Sequence, residues 1–246
     1  MKKAYFNWSS GKDSALALYK VLKEKKIKVD KLVTNMNRDY KRVSMHGLHE
    51  SLLEVQAKSI GIALHKIYFS SNVTMKTYEG VMDKEMTCLR EKGFYKAVFG
   101  DIFLEDLRDY RDLKLKEAGL LGVYPLWKQN TKTLLNEFLS LGFKAITVCV
   151  NADLLGKEFV GRIIDEEFIK ELPENVDICG ENGEFHTFCF DGPIFSKAID
   201  FEIGEKVLKS YPLLDDNDNC FKKPNPKDKK THSSKFWYCD LKMGCG

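Results

Sequence analysis

The sequence predicts an α/β protein: a parallel sheet with helices on both faces, followed by a smaller C-terminal α+β region. Three observations predict it. Over the first 150 residues, short apolar runs of strand character alternate with segments whose apolar residues recur at helical spacing. The helical segments are about 10 to 18 residues long, enough for the crossover that a parallel pair of strands requires. The chain has 246 residues, 43% of them hydrophobic and 30% charged, which suffices for one large or two unequal globular domains.

Ala4-Tyr5-Phe6-Asn7-Trp8 reads as the first strand, and Ala15, Leu18, Tyr19 and Leu22 then mark one face of a helix. Lys31 to Met36 is the second strand; Leu48, Leu52 and Val55 follow as a helix, and Leu64 to Phe69 as a strand. Tyr78, Val81, Met82, Met86 and Leu89 mark a longer helix that Gly93 can end in the left-handed conformation. Lys96 to Gly100 is the fourth strand, Leu104 to Glu117 a charged helix ending near Gly119, and Leu134, Leu135 and Phe138 a helix before the strand Ala145 to Val150. Beyond residue 150 the regularity weakens. Phe159 to Leu172 is expected as one helix stopped by Pro173, and Ala198 to Ile203 as an alternating strand. The division expected is 1–126, 127–213 and a polar tail 214–246, whose Phe236-Trp237-Tyr238 docks back on the body, caps the cleft or forms a homodimer contact. Asp215 to Asn219 and the Lys-Pro-Asn-Pro-Lys run after them read as an exposed loop.

No apolar run approaches the about 20 residues of a membrane span, and Lys2 and Lys3 are followed too soon by Ser9-Ser10-Gly11 for a secretory leader. A cytoplasmic protein without a membrane partner is expected. Seven cysteines without a C-x-x-C pair argue against a disulfide scaffold, and a net charge of +3 does not imply nucleic acid. Cys220, His232, Cys239 and Cys245 fit no common zinc spacing.

Ser9-Ser10-Gly11-Lys12-Asp13-Ser14 stands between the first strand and the first helix. A parallel sheet builds its anion site there, because a helix N-terminus presents free N–H groups. Small residues let the backbone close on a phosphate, the hydroxyls of Ser9, Ser10 and Ser14 can bond its oxygens, and Lys12 adds charge. The local alternative is an ordinary helix start capped by Ser9 or Ser10. It is not a Walker A loop, since Phe6 and Asp13 occupy positions that need Gly and Ser or Thr. Gly180-Glu181-Asn182-Gly183-Glu184-Phe185-His186-Thr187 is the second dense spot. Two carboxylates with a His and a Thr could hold an ammonium or Mg²⁺, or orient a nucleophile; a hairpin with solvated acids would look the same.

The hexad at residue 9 resembles S-G-G-x-D-S, the pyrophosphatase loop of N-type ATP pyrophosphatases, departing at Ser10 where the pattern has Gly. That departure requires the Ser10 side chain to point away from the phosphates or narrow the loop. With the acidic motif, the set resembles the diphthine–ammonia ligase family. Met45-His46-Gly47 resembles its histidine-glycine turn, and Gly100-Asp101-Ile102 with Arg108 and Arg111 its G-D segment. Gly119-Leu120 with Pro125-Leu126-Trp127 resembles G-L…P-L-W, and Gly180 to Thr187 with Asp191-Gly192-Pro193 resembles G-E-x-G-E-x-x-T…D-G-P.

The resemblance implies a Rossmann-like sheet of the HUP type, with residues 1–126 binding ATP through the pyrophosphatase loop and 127–213 binding substrate. It implies a cytoplasmic ligase that adenylates a carboxylate, small-molecule or protein-borne, and transfers ammonia. ATP and Mg²⁺ are the expected cofactors. Lys12, Asp13, Asp101, Glu181 and Glu184 would be catalytic, with Asp13 on the metal. Ser9 to Ser14, Asn35, Met36, His46 and Gly100 would hold the nucleotide, and Glu181, Asn182, Gly183, Glu184, His186 and Thr187 the second substrate or ammonium. The loop is expected to face the surface. The family acts on a modified histidine of elongation factor 2. A tRNA-modifying enzyme, or a module that binds ATP or AMP without turnover, are the other readings. Nucleic acid is not the expected partner, because Asp215, Asp216, Asp218 and Asp228 offset the lysines of the tail.

Overall fold

A computed structural model describes residues 2–211 and 234–244. Strand β1 (Lys3–Asn7) is central, with β2 (Lys28–Asn37) on one side and β5 (Phe94–Val98) on the other, both parallel to it. β4 (Leu64–Phe69) continues beyond β2 and β6 (Leu121–Val123) beyond β5, again parallel. Two-residue β3 (Arg42–Val43) runs antiparallel to the end of β2. Neither β3 nor β6 is legible in the sequence, since two or three residues carry no period.

Side-chain alternation explains the layers. Ala4 and Phe6 of β1, and Trp8 just after it, enter one core with residues of α1 (Lys12–Glu24) and α2 (Glu50–Ile60). Tyr5 enters a second core with residues of α3 (Met75–Glu91) and α4 (Glu105–Glu117). The chain leaves β1 toward one edge through β2 and β4, then returns to β1's other side as β5. That reversal opens a crevice beyond the C-terminal ends of β1 and β5.

The second sheet is antiparallel: β8 (Phe185–Asp191), β7 (Lys144–Asn151), β10 (Ser234–Met243) and β9 (Phe201–Tyr211) in spatial order, with α5 (Thr131–Ser140) leading into it. Residues 234–243, expected as part of a docking tail, are therefore a strand flanked on both sides. The acidic loop at 215–219 and the lysine run after it lie outside the described residues.

Three expectations are corrected. Phe159 to Leu172 is not one helix: a 3₁₀ turn at Lys157–Phe159 precedes α6 (Glu166–Glu171). Between them Gly161 has φ +72°, Gly161 N–H donates to Thr147 O and Thr147 N–H to Arg162 O, so the segment pairs along β7 instead of coiling. The strand expected at Ala198 begins only at Phe201, because the Ile199 N–H is drawn back to Phe190 O at 2.8 Å. Leu22 is 38% exposed, while Ala15, Leu16, Ala17 and Leu18 are all buried. A sheet lies on each side of α1, so its buried surface is wider than one stripe. Among the described residues no helix is long and apolar enough to cross a membrane.

One buried side chain joins the layers. Gln56 of α2, fully buried, accepts from Trp8 Nε1 at 2.7 Å and donates through Nε2 to Ser10 O at 3.0 Å and Cys189 O at 2.7 Å. Cys189 N–H also donates to Ser10 O at 2.9 Å. Gln56→Leu would orphan the Trp8 indole N–H and Cys189 carbonyl inside the core, costing about 2–4 kcal/mol. Urea unfolding should show a lower midpoint with an unchanged slope; Gln56→Glu, which lacks the amide donor, should not restore it.

Candidate active site

The turn from β1 into α1 gives the helix no cap of its own. Gly11, the residue before α1, is extended and has no side chain to cap it, so the cap that Lys12 N–H receives comes from Thr187 of the second sheet. Ser9 Oγ instead meets Ser14 Oγ at 2.8 Å and accepts from Gly11 N–H at 3.3 Å. Ser10 has φ +75°, a left-handed conformation natural to glycine and strained for serine. Its Oγ is buried and has no hydrogen-bond partner among the described residues. An orphaned hydroxyl at a helix N-terminus suits an anion.

Close approach explains the glycines. A Cβ on Gly11 would lie 3.0 Å from His46 Cε1 and 3.2 Å from Thr187 O, and one on Gly100 would lie 3.0 Å from Ser14 N. The loop does not face the surface as expected: Ser10, Gly11, Lys12 and Ser14 are buried, because β8 lies across it. Lys12 N–H donates to Thr187 Oγ1 at 3.0 Å.

Lys12, 3% exposed, donates from Nζ to both oxygens of Asp13, at 2.9 and 2.7 Å, and to the carbonyl of Cys179. Loss of water works against its charge, yet the Asp13 carboxylate and neighbouring acids hold its pKa above the ordinary range. Loss of water raises the Asp13 pKa, with Lys12 opposing. Burial pushes the Cys179 thiol up to about 12, so it is inert.

The acidic motif closes the other side of the crevice. Glu181 Oε1 accepts from Ile102 N–H at 2.8 Å and Phe103 N–H at 3.4 Å, tying it to the loop after β5. Burial first, and the Asp13 charge second, raise its pKa to about 7. Glu184 is deeply buried: Oε1 accepts from Asp177 N–H and Asn182 Nδ2, both at 3.0 Å, and Oε2 from Asn182 N–H at 2.8 Å. Its carboxylate braces the turn in which Asn182 and Gly183 sit. Asp177, which no sequence motif marks, accepts from Cys179 N–H at 2.9 Å and Glu181 N–H at 3.3 Å and braces the same turn.

His46 and His186 stack with centroids 4.7 Å apart. His46 Nδ1 lies 3.1 Å from Thr187 O, so Nδ1 donates and Nε2 keeps its lone pair. Loss of water lowers their pKa values to about 3 and about 4, leaving both neutral near pH 7. Asp101, next to Gly100, is ion-paired with Arg111 of α4. At the end of β2, Asn35 is half-buried and its Nδ2 lies 3.5 Å from Tyr78 Oη. Met36 has its side chain in the main core and its backbone paired with β3 and β4.

The fold thus gathers Ser9 to Ser14, His46, Gly100, Asp101, Glu181, His186 and Thr187 around one crevice, while the Glu184 carboxylate is turned into its own loop and Met36 into the core. Among the described residues no three His, Cys, Asp or Glu side chains come together as a metal site. Cys220, His232 and Cys245 lie outside the described residues. Gln56 and Asp177 are missed because neither belongs to a recognisable spacing.

Two solved archaeal structures resemble part of the chain. One, from Methanocaldococcus jannaschii, is described as a predicted subunit of tRNA methyltransferase; it is 17% identical over 59% of this chain and 80% of its own, with a TM-score of 0.41. The other is the U34-tRNA thiolase NcsA of Methanococcus maripaludis, 20% identical over 57% of each chain, TM-score 0.35. Among sequences, diphthine–ammonia ligase from Homo sapiens is 33% identical over 113 residues, 42% of this chain and 42% of its own. The Danio rerio enzyme of that name is 34% identical over 113 residues, 42% of this chain and 44% of its own. The match therefore spans less than half the length of these relatives. Profiles of the diphthamide synthase N-terminal and C-terminal domains match residues 1–121 and 130–212. Together they cover most of the sequence, and the chain belongs to the diphthamide synthase family.

Proposed function

We propose that this chain is an ATP-dependent ligase that converts a carboxylate to an amide with ammonia, diphthine being the carboxylate in its relatives' names. The observation that carries the reading is the turn into α1, which has no cap of its own and contains the orphaned Ser10 hydroxyl, with Glu181 and Asp101 on the facing loops. The start of α1 with the hydroxyls of Ser9, Ser10 and Ser14 would hold the phosphates of ATP, Ser9 and Ser14 exchanging their present local hydrogen bonds for phosphate oxygens, with Asn35 beside the base. Lys12 is fixed by Asp13 and Cys179 O, so it supplies a preorganised positive charge toward the leaving pyrophosphate.

The substrate carboxylate oxygen would bond to the α-phosphorus as the bond to the bridging oxygen breaks and pyrophosphate leaves. Ammonia would then attack the acyl carbon, expelling AMP, and lose one proton. With a pKa near 7 and its Oε2 without a partner among the described residues, Glu181 is suited to take that proton. Mg²⁺ would be carried by the triphosphate, with Asp13 offering one oxygen and neutralising phosphate charge as its chemistry. Glu184 acts here by holding the turn that presents Glu181.

Incubation with Mg·ATP, ammonium and diphthine should release AMP and pyrophosphate in equal amounts. ADP and phosphate would overturn the reading, and release stimulated only by tRNA would transfer it to RNA modification. Asp13→Asn should lower turnover about 100-fold or more while far-UV circular dichroism stays native, since one half of a preorganised charge pair is lost.

The raised Glu181 pKa has a defined sign. A carboxyl with a folded pKa near 7 and an unfolded one near 4.5 binds more protons folded, so stability falls as pH rises from about 4.5 to 7 and stays lower above. Glu181→Gln should therefore be more stable than wild type at pH 8 by about 1–3 kcal/mol and no more stable at pH 4. It should also lose the rise of turnover with pH near 7. Equal stability differences at both pH values would show that Glu181 titrates normally.

A further inference from the structure

Phe99, Tyr124 and Trp127 form an aromatic run beyond the ends of β5 and β6. Phe99 and Tyr124 stack with centroids 5.3 Å apart, and Tyr124 and Trp127 lie 5.8 Å apart. Two arginines of α4 rest on it. Arg111 lies 4.6 Å over Phe99 and commits its guanidinium to Asp101. Arg108 lies 4.7 Å from the Tyr124 centroid and 4.5 Å from that of Trp127. Its Nε reaches Asp112 Oδ2 at 3.4 Å, while Asp112 Oδ1 accepts from Tyr124 Oη at 2.9 Å. Among the described residues, Arg108 Nη1 and Nη2 meet no acceptor, and a third of the side chain is open to solvent. Two rings and a carboxylate have already fixed the planar fork, so binding an oxyanion there would cost little further side-chain entropy.

The position of this arginine is as telling as its geometry. Lys128, next to Trp127, donates its N–H to Ile102 O at 2.7 Å, and the Ile102 N–H holds Glu181. The aromatic run thus borders the crevice that contains Asp13, Asp101 and Glu181. Lys12 and Arg111 are already balanced by Asp13 and Asp101, and Glu181 has no cation, so a substrate carboxylate brought there needs a cation of its own. Lys12 is committed to Asp13 and Cys179 O, and Arg111 to Asp101. Lys128 Nζ is taken by Glu105 at 2.6 Å. Arg111 spends one Nη on Asp101, whereas Arg108, among the described cations named here, keeps both Nη atoms unspent.

We propose that Arg108 receives the carboxylate of the second substrate through its Nη atoms and steers it past the acidic residues; this rests on the ligase reading above. The same fork could take a phosphate of ATP, and the experiment separates the two sources. Arg108→Ala and Arg108→Lys are compared with wild type for the KM of diphthine at saturating Mg·ATP and ammonium, and for the Kd of Mg·ATP by calorimetry. Arg108→Ala should raise the diphthine KM about 10- to 100-fold and leave the ATP Kd within about twofold; Arg108→Lys should recover only part, because it loses the bidentate fork. A weakened ATP Kd with an unchanged diphthine KM would assign Arg108 to phosphate. No change in either would make it packing alone, and both results overturn the proposal. A readout without turnover uses 5-fluorotryptophan labelling: diphthine should shift the Trp127 fluorine resonance in wild type and not in Arg108→Ala. If that shift occurs but pyrophosphate is not released, the ligase reading fails and the Arg108 site stands. If pyrophosphate is released and the shift is absent, the Arg108 site fails and the ligase reading stands.

Discussion

The side-chain amide of Gln56 links both sheets to the turn that begins α1, and the site depends on that link. An amide is suited to it because it offers an acceptor and two donors at one point. Here the acceptor takes the Trp8 indole and the amino group reaches Ser10 O and Cys189 O. Ser10 belongs to the turn before α1 and Cys189 to β8, so the turn is held against the second sheet. Lys12 N–H to Thr187 Oγ1 continues the same seam by one more bond. In a dry interior each of these polar groups is costly if unmatched, which makes the arrangement close to all-or-none.

From that seam follows the electrostatic character of the crevice. Bringing β8 over α1 places Asp13, Glu181 and Asp101 near one another with little water between. Lys12 compensates one of them, Arg111 another, and Glu181 is left to respond by a raised pKa. A buried charge cluster of this kind contributes little to stability, since desolvation offsets attraction.

The histidine turn after β2 is held from the far end of the chain. Arg42 donates to Gly47 O at 2.7 Å and to Asp240 Oδ1 at 2.7 Å, and a Cβ on Gly47 would lie 2.8 Å from the Tyr238 ring. β10 therefore fixes the turn that stacks His46 on His186. Arg42 and Asp240 stand 198 positions apart in sequence, and no local pattern could disclose their meeting.

Much of the first sheet was legible because its signals are local. Alternation placed β4, the amphipathic period placed α3 and α5, and Gly93 and Gly119 take the positive φ expected after helices. The turn before α1 and the acidic motif were legible as residue types at fixed spacing, and they do converge. Roles were less legible than positions. Glu181 and Glu184 stand three apart and look equivalent in the sequence, yet one carboxylate borders the crevice and the other is consumed by three donors of its own turn. Gln56, Asp177 and the cradle around Arg108 depend on partners distant in sequence. By itself the sequence determined the α/β order and the chemistry available, because backbone preference and side-chain type act over a few residues. Only the tertiary structure decided which acids stay available, that the loop is buried, and where the last strand lies, because burial and long-range hydrogen bonds assign those.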